Sequence, residues 1–210
     1  MQLNLVVAGL ALLAYNLQAQ VSFAPAVAYA VGKNPHSVTT ADVNGDGKLD
    51  LICANSGTNT LSVLTNDGNG GFLLAATLTV GSNPYSVVAA DVNGDGKPDL
   101  ICANSGTNTL SVLTNNGSGG FVLASMLVVG NGPQWVVATD VNRDGALDLI
   151  CANWGANTTT LVVLINDGTG NFGPPAIYPL SDAPNAVAAA DLNGDGNIEL
   201  VSSLWDIRGF

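Results

Sequence analysis

Charge is scarce in this chain and almost all of one sign. Of 210 residues only 10% are charged, with 5 Lys or Arg against 16 Asp or Glu, for a formal net charge of −11. No basic cluster exists to follow a phosphate backbone, which argues against a nucleic-acid partner. Histidine occurs once, as His36. A metal centre built on several imidazoles is excluded, and no Ser/His/Asp set stands out, so no enzymatic activity is expected. Cysteine occurs three times, as Cys53, Cys102 and Cys151, each inside the same L-I-C-A-N segment. Equivalent positions of successive repeats are too far apart for a bridge whose Cα atoms must lie within roughly 7 Å, so buried free thiols are expected. Sustained helical periodicity is missing from residue 21 onward. Long apolar runs are missing too: Leu3 to Leu17 is too short and too interrupted for a good membrane span. Followed by Leu17-Gln18-Ala19, it reads as a signal peptide over residues 1–19, cut after Ala19, although no Lys or Arg stands near Met1. The alternative is a worn strand pair from a preceding repeat.

What is present is one acidic motif, four times over. It reads D-V-N-G-D-G-K-L-D from Asp42, D-V-N-G-D-G-K-P-D from Asp91, D-V-N-R-D-G-A-L-D from Asp140 and D-L-N-G-D-G-N-I-E from Asp191. These loops hold 12 of the 16 acidic residues, so the negative charge is stored in four places. Oxygen-bearing side chains at positions 1, 3, 5 and 9, with glycine at 6, have the spacing of a calcium loop. The expected ligands are Asp42, Asn44, Asp46 and Asp50; Asp91, Asn93, Asp95 and Asp99; Asp140, Asn142, Asp144 and Asp148; and Asp191, Asn193, Asp195 and Glu199. Position 7 would add a backbone carbonyl, from Lys48, Lys97, Ala146 or Asn197, so its side chain is free to vary. Arg143, at position 4, should point outward. Hard oxygen donors favour Ca²⁺ over Zn²⁺, and four ions would bring −11 to −3. An EF-hand is rejected, because position 12 is Cys53, Cys102, Cys151 or Ser202 and the flanks read as strands. Asx-rich turns holding no ion are the other reading. Three carboxylates in one turn would then repel without a cation.

The motifs start 49, 49 and 51 residues apart, and the two extra residues fall in the turn around Thr158 and Thr159. Residues 50–66 and 99–115 are identical. Within a repeat four short strands are expected, as in Ser86 to Asp91, Asp99 to Asn104, Thr109 to Asn115 and Leu123 to Val129. Between the last two lies a turn of the type N-D-G-N-G-G-F, whose Asn-Gly and Asp-Gly pairs supply positive φ. Four strands in a period near ~45 residues is the pattern of a propeller blade.

D-x-N-x-D-G-x-x-D followed by a short apolar strand, together with the N-x-G-x-G-x-F turn, resembles the FG-GAP/VCBS repeat family of integrin-α-like propellers, over residues 23–210. The resemblance implies an all-β protein with β-propeller-type blades of four antiparallel strands, calcium in the loops, and a role in adhesion or extracellular recognition. Repeats are placed at about 33–81, 82–130, 131–181 and 182–210. Three are full and the fourth stops after its second strand. Residues 23–32 have the phase of a fourth strand and could close a shared last blade; alternatively the chain is a piece of something larger, or associates through open edges.

The variable positions after each inter-blade linker are the better recognition candidates, because ligand sites sit on loops held by a scaffold. They are His36, Tyr85, Gln134, Trp135 and Asn185, with Trp154 and Trp205 standing where Ser56 and Ser105 would be. An exposed Trp can stack on a sugar or anchor a protein, and packing between blades is the bland reading. Asn116 and Asn157 head glycosylation sequons. The expected function is a secreted or envelope-associated, calcium-binding adhesion or recognition module for an extracellular protein or glycan. A lectin-like propeller is the alternative, with a propeller-scaffold enzyme third.

Overall fold

A computed structural model describes residues 25–155 and 158–205. Strands β1 (Pro35–Ala41), β2 (Asp50–Asn55), β3 (Thr60–Asn66) and β4 (Phe72–Thr79) form the first sheet in chain order, each pair antiparallel. Strands β5 (Pro84–Ala90), β6 (Asp99–Asn104), β7 (Thr109–Asn115) and β8 (Phe121–Val128) repeat it. The third sheet holds β9 (Pro133–Thr139), β10 (Asp148–Gly155), β11 (Thr158–Leu164) and a shorter β12 (Ala176–Pro179). Strands β13 (Ala183–Ala190) and β14 (Glu199–Trp205) pair as a two-stranded sheet. The expected all-β, blade-like architecture is observed. The central strands fall where the sequence placed them, as β6 and β7 show.

The core lies between sheets. Leu100 and Cys102 of β6 pack with Val43 of the first acidic loop and with Ile52, Ala54, Leu61 and Val63 of the first sheet. Ile101 and Ala103, on the other face of the same strand, pack with Val136, Leu149, Cys151 and Val162 of the third. Ile150 and Ala152 continue the stack onto Val187. A strand buried on both faces needs an unbroken apolar run, which is why L-I-C-A reads without alternation. The outer strands β4 and β8 alternate half-buried and exposed residues along most of their length. All three cysteines are free and buried, as expected, and desolvation pushes each thiol upward from its usual range.

Two differences from the sequence reading bear on function. The first strands of the three four-stranded sheets begin at a proline, two residues earlier than Ser86 would suggest, and β13 begins one residue before Pro184; all four contain a bulge. And residues 25–31, most of the stretch proposed to close the last blade, form no strand. Tyr29 instead sets its ring edge-on to Phe72 of the first sheet, 5.5 Å between centroids, and its hydroxyl donates to Gly70 O at 3.3 Å. The apolar ring contact holds this segment against its own blade. The expected signal peptide, residues 1–19, lies outside the described residues, as does Asn157.

Candidate functional site

Each acidic loop is wound around its first carboxylate. Asp42 Oδ1 accepts from the amides of Gly45 at 2.8 Å and Asp46 at 3.2 Å, and Oδ2 from Gly47 at 2.7 Å. Asp91 repeats all three bonds, Asp140 does so with Arg143, Asp144 and Gly145, and Asp191 bonds the amides of Gly194 and Gly196. The side-chain oxygen at position 3 accepts from the amide at 5, and that at 5 from the amide at 7, in every loop. Glycine at position 6 takes φ between +81° and +90°, which lets the amides turn inward. The Lys48 amide holds the Asp46 carboxyl below its usual range, and the Asn197 amide does the same for Asp195.

Three side chains do more than the sequence reading allowed. Lys48 and Lys97 at position 7 pair with Asp46 and Asp95 at 3.2 and 3.3 Å. These exposed contacts are weak. Arg143 adopts a left-handed φ of +64° and donates to Asn197 Oδ1 of the next loop at 3.1 Å.

Position 9 has a second role that was not foreseen. Asp50, Asp99 and Asp148 are fully buried. Asp99 Oδ2 accepts from Val92 N at 3.2 Å and Oδ1 from Asn115 N at 2.8 Å, so one carboxylate ties the loop to the end of β7. Asn115 then reaches the acidic loop of the preceding repeat: its Nδ2 donates to Val43 O, 3.0 Å away. Asp148 and Asn166 repeat the relay, with Asn166 Nδ2 donating to Val92 O at 2.7 Å. Burial pushes the Asp99 carboxyl above its usual range; the Asn115 and Val92 amides oppose this, while the charges of Asp95 and Asp91 add to it. Glu199, in the two-stranded sheet, is only half-buried and bonds Leu192 N and Asn193 Nδ2 within its own loop.

The oxygen-only donor set fits a hard cation, and an ionised carboxylate keeps acceptor capacity beyond two amide bonds. Among the described residues, however, no three acidic, imidazole or thiol groups are gathered closely enough to hold an ion. Asp91, Asp144 and Asp167 line a cleft of about 380 Å³ between the second and third loops without converging.

At the other end of the first strands lies a second concavity, of about 480 Å³. His36, Tyr85, Gln134, Trp135, Trp154, Asn185 and Ala186 line it. The His36 and Tyr85 rings lie 4.2 Å apart, and Trp154 stacks on Trp205 at 6.2 Å.

A family model described as FG-GAP-like repeat matches residues 42–102, 91–151 and 140–202, well over half the chain. The chain belongs to the FG-GAP-like repeat family. Among curated proteins the comparison found no match. Among solved structures, the Vibrio cholerae biofilm matrix protein Bap1 is 21% identical, with a TM-score of 0.50 over 82% of this chain and 28% of its own. The BBS1N component of a complex with ARL6DN is 14% identical, with a TM-score of 0.50 over 83% and 57%. An Agrocybe aegerita lectin whose structure concerns recognition of non-reducing terminal N-acetylglucosamine is 27% identical over 69% of this chain and 38% of its own, with a TM-score of 0.44. The chain thus spans 28% to 57% of these three structures. The likeness to the first two is one of fold.

In these FG-GAP-like repeats the sequence pointed to the acidic loops and to the variable residues after the linkers, and the structure brings the latter together. It did not point to Asn115 and Asn166. Their signal was available, since an Asn stands at or just after the end of the third strand of every full repeat, but it reads equally as the start of the glycine turn.

Proposed function

We propose that the chain is a calcium-stabilised recognition module of a secreted or envelope-associated protein, and not an enzyme. The observation that carries this reading is the fourfold loop: oxygen donors at the same four positions, held by nearly the same set of amide bonds in every repeat. Asp42, Asn44, Asp46, Asp50 and the Lys48 carbonyl would hold the ion in the first loop, and the equivalent residues would do so in the others. The ion would supply the positive charge that twelve clustered carboxylates call for. Position 9 would then serve both the ion and the sheet, joining metal binding to blade stacking. An affinity in the ~10⁻⁴–10⁻³ M range of extracellular modules suits this setting, as does the apolar stretch from Leu3 to Leu17.

The test is thermal unfolding in millimolar Ca²⁺ and in excess chelator. A cation at tenfold its dissociation constant adds about 1.4 kcal/mol per site, so chelation should lower Tm by several degrees. Superimposable melts would remove calcium from the proposal.

A further inference from the structure

The concavity at the far end of the first strands is built by a repeated backbone irregularity. In β1, Pro35 pairs with Asn55 and Ser37 with Ala54, so His36 is an extra residue opposite no partner. Tyr85 is skipped in the same way between Pro84 and Ser86, Gln134 between Pro133 and Trp135, and Asn185 between Pro184 and Ala186. A bulge takes its residue off the ladder and re-aims the side chain. The strands that carry these bulges are neighbours in space, β1 beside β5, β5 beside β9 and β9 beside β13. Ser37 Oγ and Ser86 Oγ fix that spacing, accepting from Val87 N and Val136 N of the next strand, each at 3.3 Å. Four equivalent bulges therefore converge on one site, and each brings a different side chain.

The chemistry of that site is specific. Among the described residues its lining holds no Asp, Glu, Lys or Arg, so these side chains offer no fixed charge to select an ionic ligand. It offers aromatic faces instead. Trp135 is 40% exposed and Trp154 38%, large fractions for indoles with apolar neighbours available. The same lining carries Gln134, Asn185, Tyr85 and His36, whose side chains hold neutral amide, hydroxyl and imidazole groups. Gln134 is partly positioned by Ser105 Oγ, 3.4 Å from its Nε2. Flat apolar faces bordered by neutral donors and acceptors match a ligand with one apolar face and a rim of hydroxyls. That is a sugar ring. The volume lies within the range of small-ligand sites and gives room for a short saccharide.

We propose that the four bulges form a binding site for a neutral saccharide. The proposal rests on the recognition reading above and names its partner class; it uses none of the calcium-loop residues. The backbone that presents the site is constant, so selectivity resides in the four side chains that differ.

The test uses the full chain in millimolar Ca²⁺. It is applied to an array of neutral hexose- and N-acetylhexosamine-terminated oligosaccharides, with sialylated and sulfated chains alongside. The strongest neutral hit is then titrated by calorimetry and by tryptophan fluorescence. Binding of neutral chains is expected, with a change in tryptophan emission. Trp135→Ala should weaken it about tenfold or more, as loss of an aromatic anchor does, and Gln134→Ala, which removes no packing aromatic, should weaken it less with an unchanged melt. No binding to neutral glycans by the folded protein would overturn the proposal. So would a preference for anionic glycans, or neutral binding that both variants leave intact. The chelator melt reports on the calcium reading by itself, so failure of one is not mistaken for failure of the other.

Discussion

The two ends of the first strands of this protein obey opposite rules. At the C-terminal end every repeat carries nearly the same residues, making the same bonds: Asp42, Asp91, Asp140 and Asp191 each gather the amides of their own loop. At the N-terminal end, one strand length or about 20 Å away, every repeat has the same bulge and a different residue in it: His36, Tyr85, Gln134 and Asn185. Identity at one end marks positions whose chemistry is needed to make and stack a blade. Variation on a constant backbone marks positions that the fold leaves free, and those are the ones that can recognise something.

The comparison is broken most severely at Asp99. Asp99→Ala leaves two buried amides, of Val92 and Asn115, without an acceptor, at about 1–3 kcal/mol each. Glu199→Ala leaves the amide of Leu192 in an exposed loop, where water replaces the lost oxygen. Urea unfolding in excess chelator, which removes any ion from the balance, should show a large fall in midpoint for Asp99→Ala and a minor one for Glu199→Ala. Equal effects would mean that the buried carboxylate is no more than a loop residue.

A smaller effect separates the repeats by pH. Asp67 accepts from the amides of Asn69 and Gly71, and these hold its carboxyl below the usual range. Thr169, by its hydroxyl and its amide, does the same for Asp167. At the equivalent place in the second repeat, Asn116 Oδ1 makes the corresponding bonds to Ser118 and Gly120 without a charge. For a carboxyl depressed in the folded state, the added stability is present above its unfolded value of 3.8 and is lost as pH falls through the lower folded value. Asp67→Asn should therefore reduce the loss of stability on acidification below pH 3.8, and Asn116→Asp should increase it, both modestly because these turns are exposed. Melts at pH 6 and pH 3 compare the two.

The smallest stability effect is expected at the bulges. Exchanging Gln134 for Asn, or Asn185 for Gln, should leave the unfolding free energy from urea titration within about 0.5 kcal/mol of the parent, as for substitutions away from the packed interior. A loss comparable to that of Asp99→Ala would show that the variable end is structural after all.

Much of this protein was legible one residue at a time. The strand bounds Asp99–Asn104 and Thr109–Asn115, the glycine turns and the acidic loops all follow from local chemistry: an apolar run, Asn-Gly pairs that accept positive φ, and a glycine at the sharp point of each loop. What the tertiary structure decided depends on a partner strand or a neighbouring sheet. A bulge is defined by register against another strand, so nothing in N-P-H or N-P-Y by itself announces that His36 and Tyr85 will leave the ladder side by side. The position-9 carboxylate reads only as the ligand that closes the loop until stacking buries it and gives it the Val92 and Asn115 amides to hold. Asn115 and Asn166 become ties only because a second blade presents a carbonyl, Val43 or Val92, within reach. Repetition wrote the blade into the sequence, and the packing of one copy against the next decided what its polar residues do, because a buried polar group must find its partner wherever the fold supplies one.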